Sequence, residues 1–261
     1  MNIDQQILDH LFHKWGSDSE KLALNEKYRY TPPYPTLALD DFIPYNVAKL
    51  LYEESQTIPN KYWTTFTRAD SYMEECKDLT EAPVARGVVS ALHSREFLTW
   101  LSQVCDVKHL LPDPYLTGAG YMKSFKGDSL KIHSDFNWNE ECQTHRALSF
   151  ILYFTPDWNP DWHGDIQFWD FNKENMIASY PPKWGNIVLW KYHKRGFHGH
   201  PNPITCPDDR FRVGFRTFYY IADSKHDWRD PPHKSLYWYD KDKNQPYHLE
   251  NEYGHGKLDD E

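Results

Sequence analysis

Between residues 115 and 221 the apolar positions recur with a period of two, and few folds accept so long a run of that pattern. Side chains two apart on an extended chain share a face, so each segment presents one apolar and one polar side. The segments fall near 115–123, 129–134, 146–154, 165–170, 176–180, 186–191, 197–200 and 212–221. Turn residues separate them: Lys126-Gly127-Asp128, Thr155-Pro156-Asp157, Pro181-Pro182 and Trp184-Gly185-Asn186. About eight strands at this spacing predict an α+β, mainly β fold, a double-sheet jelly roll or double-stranded β-helix.

Upstream, the period lengthens to that of helices. Ile3, Ile7, Leu8, Leu11 and Phe12 predict a helix over 3–14. Pro44 opens a second, which carries Val47, Leu50, Leu51 and Ser55, because a first-turn proline gives up no hydrogen bond. Val88, Val89, Leu92, Phe97, Leu98 and Leu101 predict a third over 88–106. These helices are expected to pack on the outside of one sheet. With no internal repeat and no low-complexity linker, residues 1–261 read as one domain. It divides into a helical part over 1–112, a strand core over 113–221 and a C-terminal extension over 222–261, read as a surface tail.

Aromatic residues make up 16% of the chain against 39% hydrophobic in all, so burial rests heavily on rings, which suit a pleated surface. The net charge of −9 comes with no basic cluster, which argues against nucleic acid as a partner. Cys76, Cys105, Cys142 and Cys206 are far apart, neither a disulfide framework nor a zinc knuckle. Without a signal peptide or a membrane-length apolar run, a cytoplasmic protein is expected.

The chemistry concentrates at Ser129-Leu130-Lys131-Ile132-His133-Ser134-Asp135. His133 and Asp135 are two apart on a predicted strand and so share a face. A third ligand can come from Gly196-Phe197-His198-Gly199-His200, where His198 and His200 share a face of their own. Two histidines and one carboxylate with open positions form the facial triad of non-haem Fe(II) sites. Alone, His-x-Asp is a common triplet. His145, His163 and His193 read as loop or surface residues, and Arg146, opening a strand, as structural.

The downstream order is more specific. Arg146-Ala147-Leu148-Ser149-Phe150-Ile151-Leu152-Tyr153-Phe154 is followed by runs over 162–169, 182–190, 197–201 and 212–220. From Asp113 to Tyr220 the chain thereby resembles the Fe(II)- and 2-oxoglutarate-dependent dioxygenases, in their prolyl-4-hydroxylase-like branch. Asp41-Phe42-Ile43-Pro44 is similar to the helix-opening segment of that branch. The resemblance implies His133, Asp135 and His198 as the catalytic metal ligands; Phe197 and Pro201 match better with His198 than with His200 as the third. It also implies Arg212 and Tyr153 as anchors for the far carboxylate of 2-oxoglutarate. Dioxygen is then a second co-substrate, and ascorbate a reductant the family admits. Asp135 stands where halogenating relatives have a small residue, so hydroxylation of an unactivated C–H is implied, with release of succinate and CO2.

Two positions depart from the pattern: Gly214 where a small polar residue is usual, and His163-Gly164 where paired glycines are. Arg216, four after Arg212, faces inward and reads either as a contact to a substrate carboxylate or as a strand-edge salt bridge. Trp138, with Trp162 and Trp184, offers an aromatic substrate rim or ordinary packing. The primary substrate reads as a peptidyl proline or, if Arg216 meets an anion, a free amino acid or other small metabolite. A metal-containing jelly-roll module that binds carbohydrate is the rival of another class, though a structural metal would fill the positions this triad leaves open. Oligomeric state is not legible.

Overall fold

The computed structural model describes residues 2–68, 71–222 and 232–237. Five helices form where local signals are strong. α1 (Ile3–Trp15) buries Ile7 and Leu11. α2 (Asp18–Tyr30) has a weak apolar face, and periodicity does not find it. Its signal is the capping box, in which the Ser17 hydroxyl accepts from the Glu20 N–H and the Glu20 carboxylate accepts from the Ser17 N–H. α3 (Tyr45–Thr57) starts after Pro44, as predicted. The single helix expected over 88–106 is two, α4 (Pro83–Leu92) and α5 (Arg95–Cys105). Ser94 interrupts them because its hydroxyl caps the Phe97 N–H, which starts a new helix.

The strands are β1 (Thr36–Leu39), β2 (Thr64–Arg68), β3 (Ser71–Cys76), β4 (Leu111–Pro112), β5 (Gly120–Ser124), β6 (Leu130–Ser134), β7 (Trp138–Asn139), β8 (Thr144–Tyr153), β9 (Ile166–Trp169), β10 (Met176–Tyr180), β11 (Ile187–Lys191), β12 (His198–His200), β13 (Arg212–Ile221) and β14 (Leu236–Tyr237). The expected strands are present, the first only from Gly120 onward. Most pairings among the described residues fall in two antiparallel sheets. The larger runs β1-β11-β8-β13-β5-β3-β2 with β4 and β7 attached, and the smaller runs β10-β9-β12-β6-β14.

The expectation of a jelly roll or double-stranded β-helix is corrected by this topology. Both strand paths are open from edge to edge among the described residues, with no barrel closure, and the fold is a mixed α/β one with N-terminal helices. The physical reason lies upstream of the alternating region. β1, β2 and β3, from a stretch the periodicity leaves unassigned, lengthen the large sheet at both ends. Alternation states which side of a strand is buried, and it carries no information on which strands meet at an edge.

The two faces of the large sheet have different neighbours. Leu148, Phe150 and Leu152 of β8, Ile187 and Leu189 of β11, and Val213, Phe215 and Tyr219 of β13 join a core with the helices. Ile151, Tyr153, Val188, Trp190 and Met122 join a second core with Ile166 and Phe168 of the small sheet. Glu54 ties the helical layer together: its carboxylate accepts from Val84 N–H at 2.7 Å, Ala85 N–H at 2.9 Å and the Tyr121 hydroxyl at 2.7 Å. It thus fills the N-terminus of α4 and anchors that helix to β5. Cysteines 76, 105, 142 and 206 are unpaired. Among the described residues no helix is long and apolar enough to cross a membrane.

Of the C-terminal extension, residues 232–237 are described and include β14. The surface-tail reading of the rest, with Trp238 and Tyr239, lies outside the described residues. Glu54→Ala removes a buried acceptor from three donors at once, so urea denaturation should show a loss of roughly 2–5 kcal/mol in stability. A loss below about 0.5 kcal/mol would mean that water replaces the carboxylate.

Candidate active site

β6 and β12 are antiparallel neighbours, and His133 lies directly opposite His198. Opposed residues on paired strands project to the same side. The two imidazoles accordingly approach with ring centroids 4.5 Å apart. Gly199 makes the close pairing feasible, since a Cβ there would sit 2.6 Å from the Leu130 carbonyl oxygen. Each ring is oriented from behind by a backbone carbonyl: His133 Nδ1 is 2.9 Å from Lys131 O, and His198 Nδ1 is 2.8 Å from Gly196 O. A carbonyl only accepts, so Nδ1 carries the proton and the Nε2 lone pair points forward.

Asp135, just past β6, completes the group. Its Oδ1 is 3.8 Å from His133 Nε2 and 3.6 Å from His198 Nε2. One ligand atom from each residue falls within 4.8 Å of the others, the arrangement of a facial triad. The other carboxylate oxygen is taken: Arg146 Nη1 and Ser149 Oγ each lie 2.8 Å from Oδ2. Burial pushes the Asp135 carboxyl upward, but the Arg146 guanidinium, aided by His198 and His133, holds it well below the usual carboxylate range. It is ionised, with one oxygen committed and one free. Burial and then the charge of His198 lower His133 to about 3, against the pull of Asp135 and the Lys131 carbonyl. Its imidazole is neutral at ordinary pH, as a metal ligand requires.

Arg146 is itself fixed, with Phe136 and Phe218 on either side, each ring centroid 3.6 Å from the guanidinium carbon. Behind the histidines the wall is aromatic. Trp190 packs 4.9 Å from the His198 ring, and Tyr237 of β14 stacks on His133 at 4.8 Å and 18°.

A second constellation lies on the large sheet. Arg212 is 3% exposed and donates from Nη2 to the Tyr153 hydroxyl oxygen at 2.7 Å. Its Nε has no partner, and no carboxylate among the described residues pairs with it. A guanidinium buried without an anion is costly unless a ligand supplies one. Burial raises the Tyr153 phenol, and Arg212 pulls against that rise, so the phenol keeps its proton and can donate. Gly164, at φ +83°, lets the chain pass directly over Arg212: a Cβ there would sit 3.2 Å from Arg212 Cδ.

A family model described as the 2OG-Fe(II) oxygenase superfamily matches residues 119–220, which hold the triad, Arg212 and Tyr153. The matched segment belongs to this superfamily. The family match and the triad together make it an enzyme of the Fe(II)/2-oxoglutarate-dependent kind. A search of the curated proteins finds no match. Among solved structures, a prolyl-4-hydroxylase from Pseudomonas putida superposes with a TM-score of 0.58 at 12% identity, over 77% of this chain and 98% of that one. A prolyl hydroxylase from Trichoplax adhaerens, solved with a hypoxia inducible factor peptide, gives 0.57 at 11% identity, over 80% and 92%. HygX from Streptomyces hygroscopicus, solved with nickel and 2-oxoglutarate, gives 0.50 at 10% identity, over 78% and 87%. At these identities the likeness is one of fold.

Within this oxygenase, both departures from the family pattern have structural readings. Gly214 lies opposite Tyr153 and Met122. A Cβ at 214 would meet Leu152 O at 2.8 Å, Met122 Cε at 2.9 Å and Tyr153 Cδ1 at 3.1 Å, so a serine would displace the Tyr153 ring. His163 keeps a glycine backbone without being glycine, at φ +63° and ψ −157°. That region is strained for any residue with a Cβ.

The remaining sequence candidates scatter. His200 is buried beside the triad but stands opposite Leu130, past a register shift, and is not among the three clustered ligands. Burial, then the Arg212 guanidinium, then His133 hold its ring well below the usual histidine value. Arg216 pairs with Glu75 and donates to the Gly118 carbonyl, the strand-edge salt bridge. Trp138, Trp162 and Trp184 do not assemble a rim: they pack against His145, Trp158 and Tyr45 respectively. His193 packs on Phe171. Arg146, Ser149 and Tyr237 are the contributors that sequence reasoning missed. Ser149 shares the face of Ile151 and Tyr153, a signal that was available; Tyr237 has none, because only the return of β14 brings it there.

His163→Gly should raise stability by about 1 kcal/mol in urea unfolding, since it relieves the positive-φ strain; a loss would show that the side chain packs usefully. Arg146→Leu leaves Asp135 buried beside no cation. Anaerobic calorimetry with Fe(II) should then show affinity reduced on the order of 10–100-fold, and unchanged affinity would refute the orienting role.

Proposed function

We propose that this oxygenase hydroxylates an unactivated C–H bond, in the manner of a prolyl 4-hydroxylase, with His133, Asp135 and His198 holding Fe(II) and Arg212 and Tyr153 holding the far carboxylate of 2-oxoglutarate. One observation carries the reading. Among the described residues, a buried guanidinium without an anion faces the same inter-sheet space as two imidazoles and a carboxylate with one oxygen free. The donor set suits ferrous iron, which binds imidazole and carboxylate together and keeps positions open for a co-substrate and dioxygen. The unpartnered Nε of Arg212, with the Tyr153 hydroxyl, suits a carboxylate held by a planar fork. Bound there, the iron supplies dioxygen activation coupled to oxidative decarboxylation of the keto acid, with succinate and CO2 as co-products.

The chain's own residues do the positioning. Lys131 O and Gly196 O aim the two Nε2 atoms. Arg146 and Ser149 occupy the second oxygen of Asp135 and so favour ligation through Oδ1 alone. Trp190, Phe168 and Tyr237 exclude water behind the histidines. Arg212 and Tyr153 orient the keto acid from its far end.

A peptidyl proline is the substrate class this reading favours over a free amino acid. A free inward Arg216 would favour a free amino acid or other small metabolite, and Glu75 already neutralises that cation. The folds of the Pseudomonas putida and Trichoplax adhaerens prolyl hydroxylases support the same side. A carbohydrate-binding module gives Arg212 nothing to bind.

Succinate release, screened over proline-containing peptides and free amino acids with Fe(II) and 2-oxoglutarate, tests the proposal. Substrate-dependent succinate is expected with a peptide and should fall below detection in Asp135→Ala, which removes a ligand. Normal turnover by that variant would show the triad to be misassigned.

A further inference from the structure

Among the buried polar atoms of the described residues that lack a partner, four belong to His200, Arg212 and Ser124. Both ring nitrogens of His200 are buried and unbonded, in a residue 2% exposed. Arg212 Nε is in the same state, as is the hydroxyl of Ser124, which is fully buried directly opposite Arg212 on β5. His200 is two residues beyond His198 on β12, with Gly199 between them, so its side chain turns toward the large sheet as the ligand's does. Its pairing partner Leu130 packs against the inter-sheet core, which places the two on the same side. Among charged groups, the one that acts most strongly on the His200 ring is the Arg212 guanidinium.

Arg212, His200 and Ser124 thus bring hydrogen-bond donors to one inter-sheet space, and no carboxylate among the described residues receives them. The Tyr153 hydroxyl oxygen already accepts from Arg212, and its own proton remains to be given. An ionised carboxylate offers about four acceptor sites, more than a guanidinium fork and one phenol use. An imidazole has an N–H to give in either protonation state.

We infer that His200 is a specificity-determining residue that donates an N–H to the far carboxylate of the keto acid, as a third point beside Arg212 and Tyr153. The inference rests on the co-substrate reading proposed above. It gives the second histidine of Phe197-His198-Gly199-His200 a task distinct from metal ligation: selecting a keto acid with a carboxylate at both ends over one with an apolar tail. Replacing His200 by an apolar residue therefore costs affinity only for the dicarboxylate.

The test uses full-length protein loaded anaerobically with Fe(II), titrated with 2-oxoglutarate or with 2-oxovalerate, which has the same five-carbon chain and no far carboxylate. Binding is followed by the visible charge-transfer band and by calorimetry, so no turnover enters. His200→Leu should weaken 2-oxoglutarate by about ten-fold or more, the scale of a hydrogen bond to a charged group. It should leave 2-oxovalerate unchanged within about two-fold, and that arm also shows that the variant is folded. His200→Gln, whose amide still donates, should recover most of the loss. An equal loss for both keto acids, no loss for either, or a loss that Gln leaves in place would overturn the inference. Arg212→Ala separates the two levels. If it leaves the preference for 2-oxoglutarate intact, the co-substrate reading itself fails; if it abolishes the preference while His200→Leu does not, the role of His200 alone fails.

Discussion

The pairing of β6 with β12 is the contact on which the candidate chemistry depends. His133 and His198 are 65 positions apart in the chain, and only antiparallel registration of these two strands sets them opposite each other. A slip of one residue would turn one ring to the other face of the sheet. The register is held by more than the ladder. Gly199 permits the close approach, and the inward apolar residues Phe168 and Trp190 pack against the ring at 198. Both imidazoles are then aimed by carbonyls of their own strands' neighbourhoods, so orientation is local while convergence is not.

Around the candidate site, the charged side chains of the described residues differ in whether a counter-ion meets them. Asp135 is matched by Arg146, and Arg216 by Glu75. Arg212 has a phenol and no anion. Isolating a cation in a low-dielectric space is unfavourable, which is why a ligand anion suits Arg212. The same contrast separates Arg212 from Arg216, which look equivalent in the sequence because both are on the inward face of one strand. The difference is that β3 comes within reach of Arg216 only.

Much of the strand pattern was legible because burial and alternation are coupled residue by residue. The segments near 129–134, 146–154, 165–170, 176–180, 186–191 and 212–221 stand close to where the observed strands run. α2 was missed because its apolar face is thin, with Leu24 and Tyr28 its buried residues. The break between α4 and α5 was missed because the apolar spacing continues across His93 and Ser94, and a cap acts on hydrogen bonds rather than on hydropathy. Of the candidate site, the sequence names His133, Asp135 and His198, which the structure clusters, and Arg212 and Tyr153, which it joins by a hydrogen bond. Arg146 was set aside as structural although it holds the second oxygen of Asp135, since a cation at the start of a strand gives no hint of the carboxylate it will meet.

By itself, the sequence determined which residues can ligate, which faces are apolar and where turns fall, because these are properties of neighbouring residues. Only the tertiary structure decided that the two sheets stay open among the described residues, that β14 returns to lay Tyr237 on His133, and that Glu75 takes Arg216 while no described carboxylate pairs with Arg212. Those outcomes turn on which edges and side chains meet across long separations. Chain connectivity constrains such encounters only loosely, and burial and charge settle them once the layers have packed.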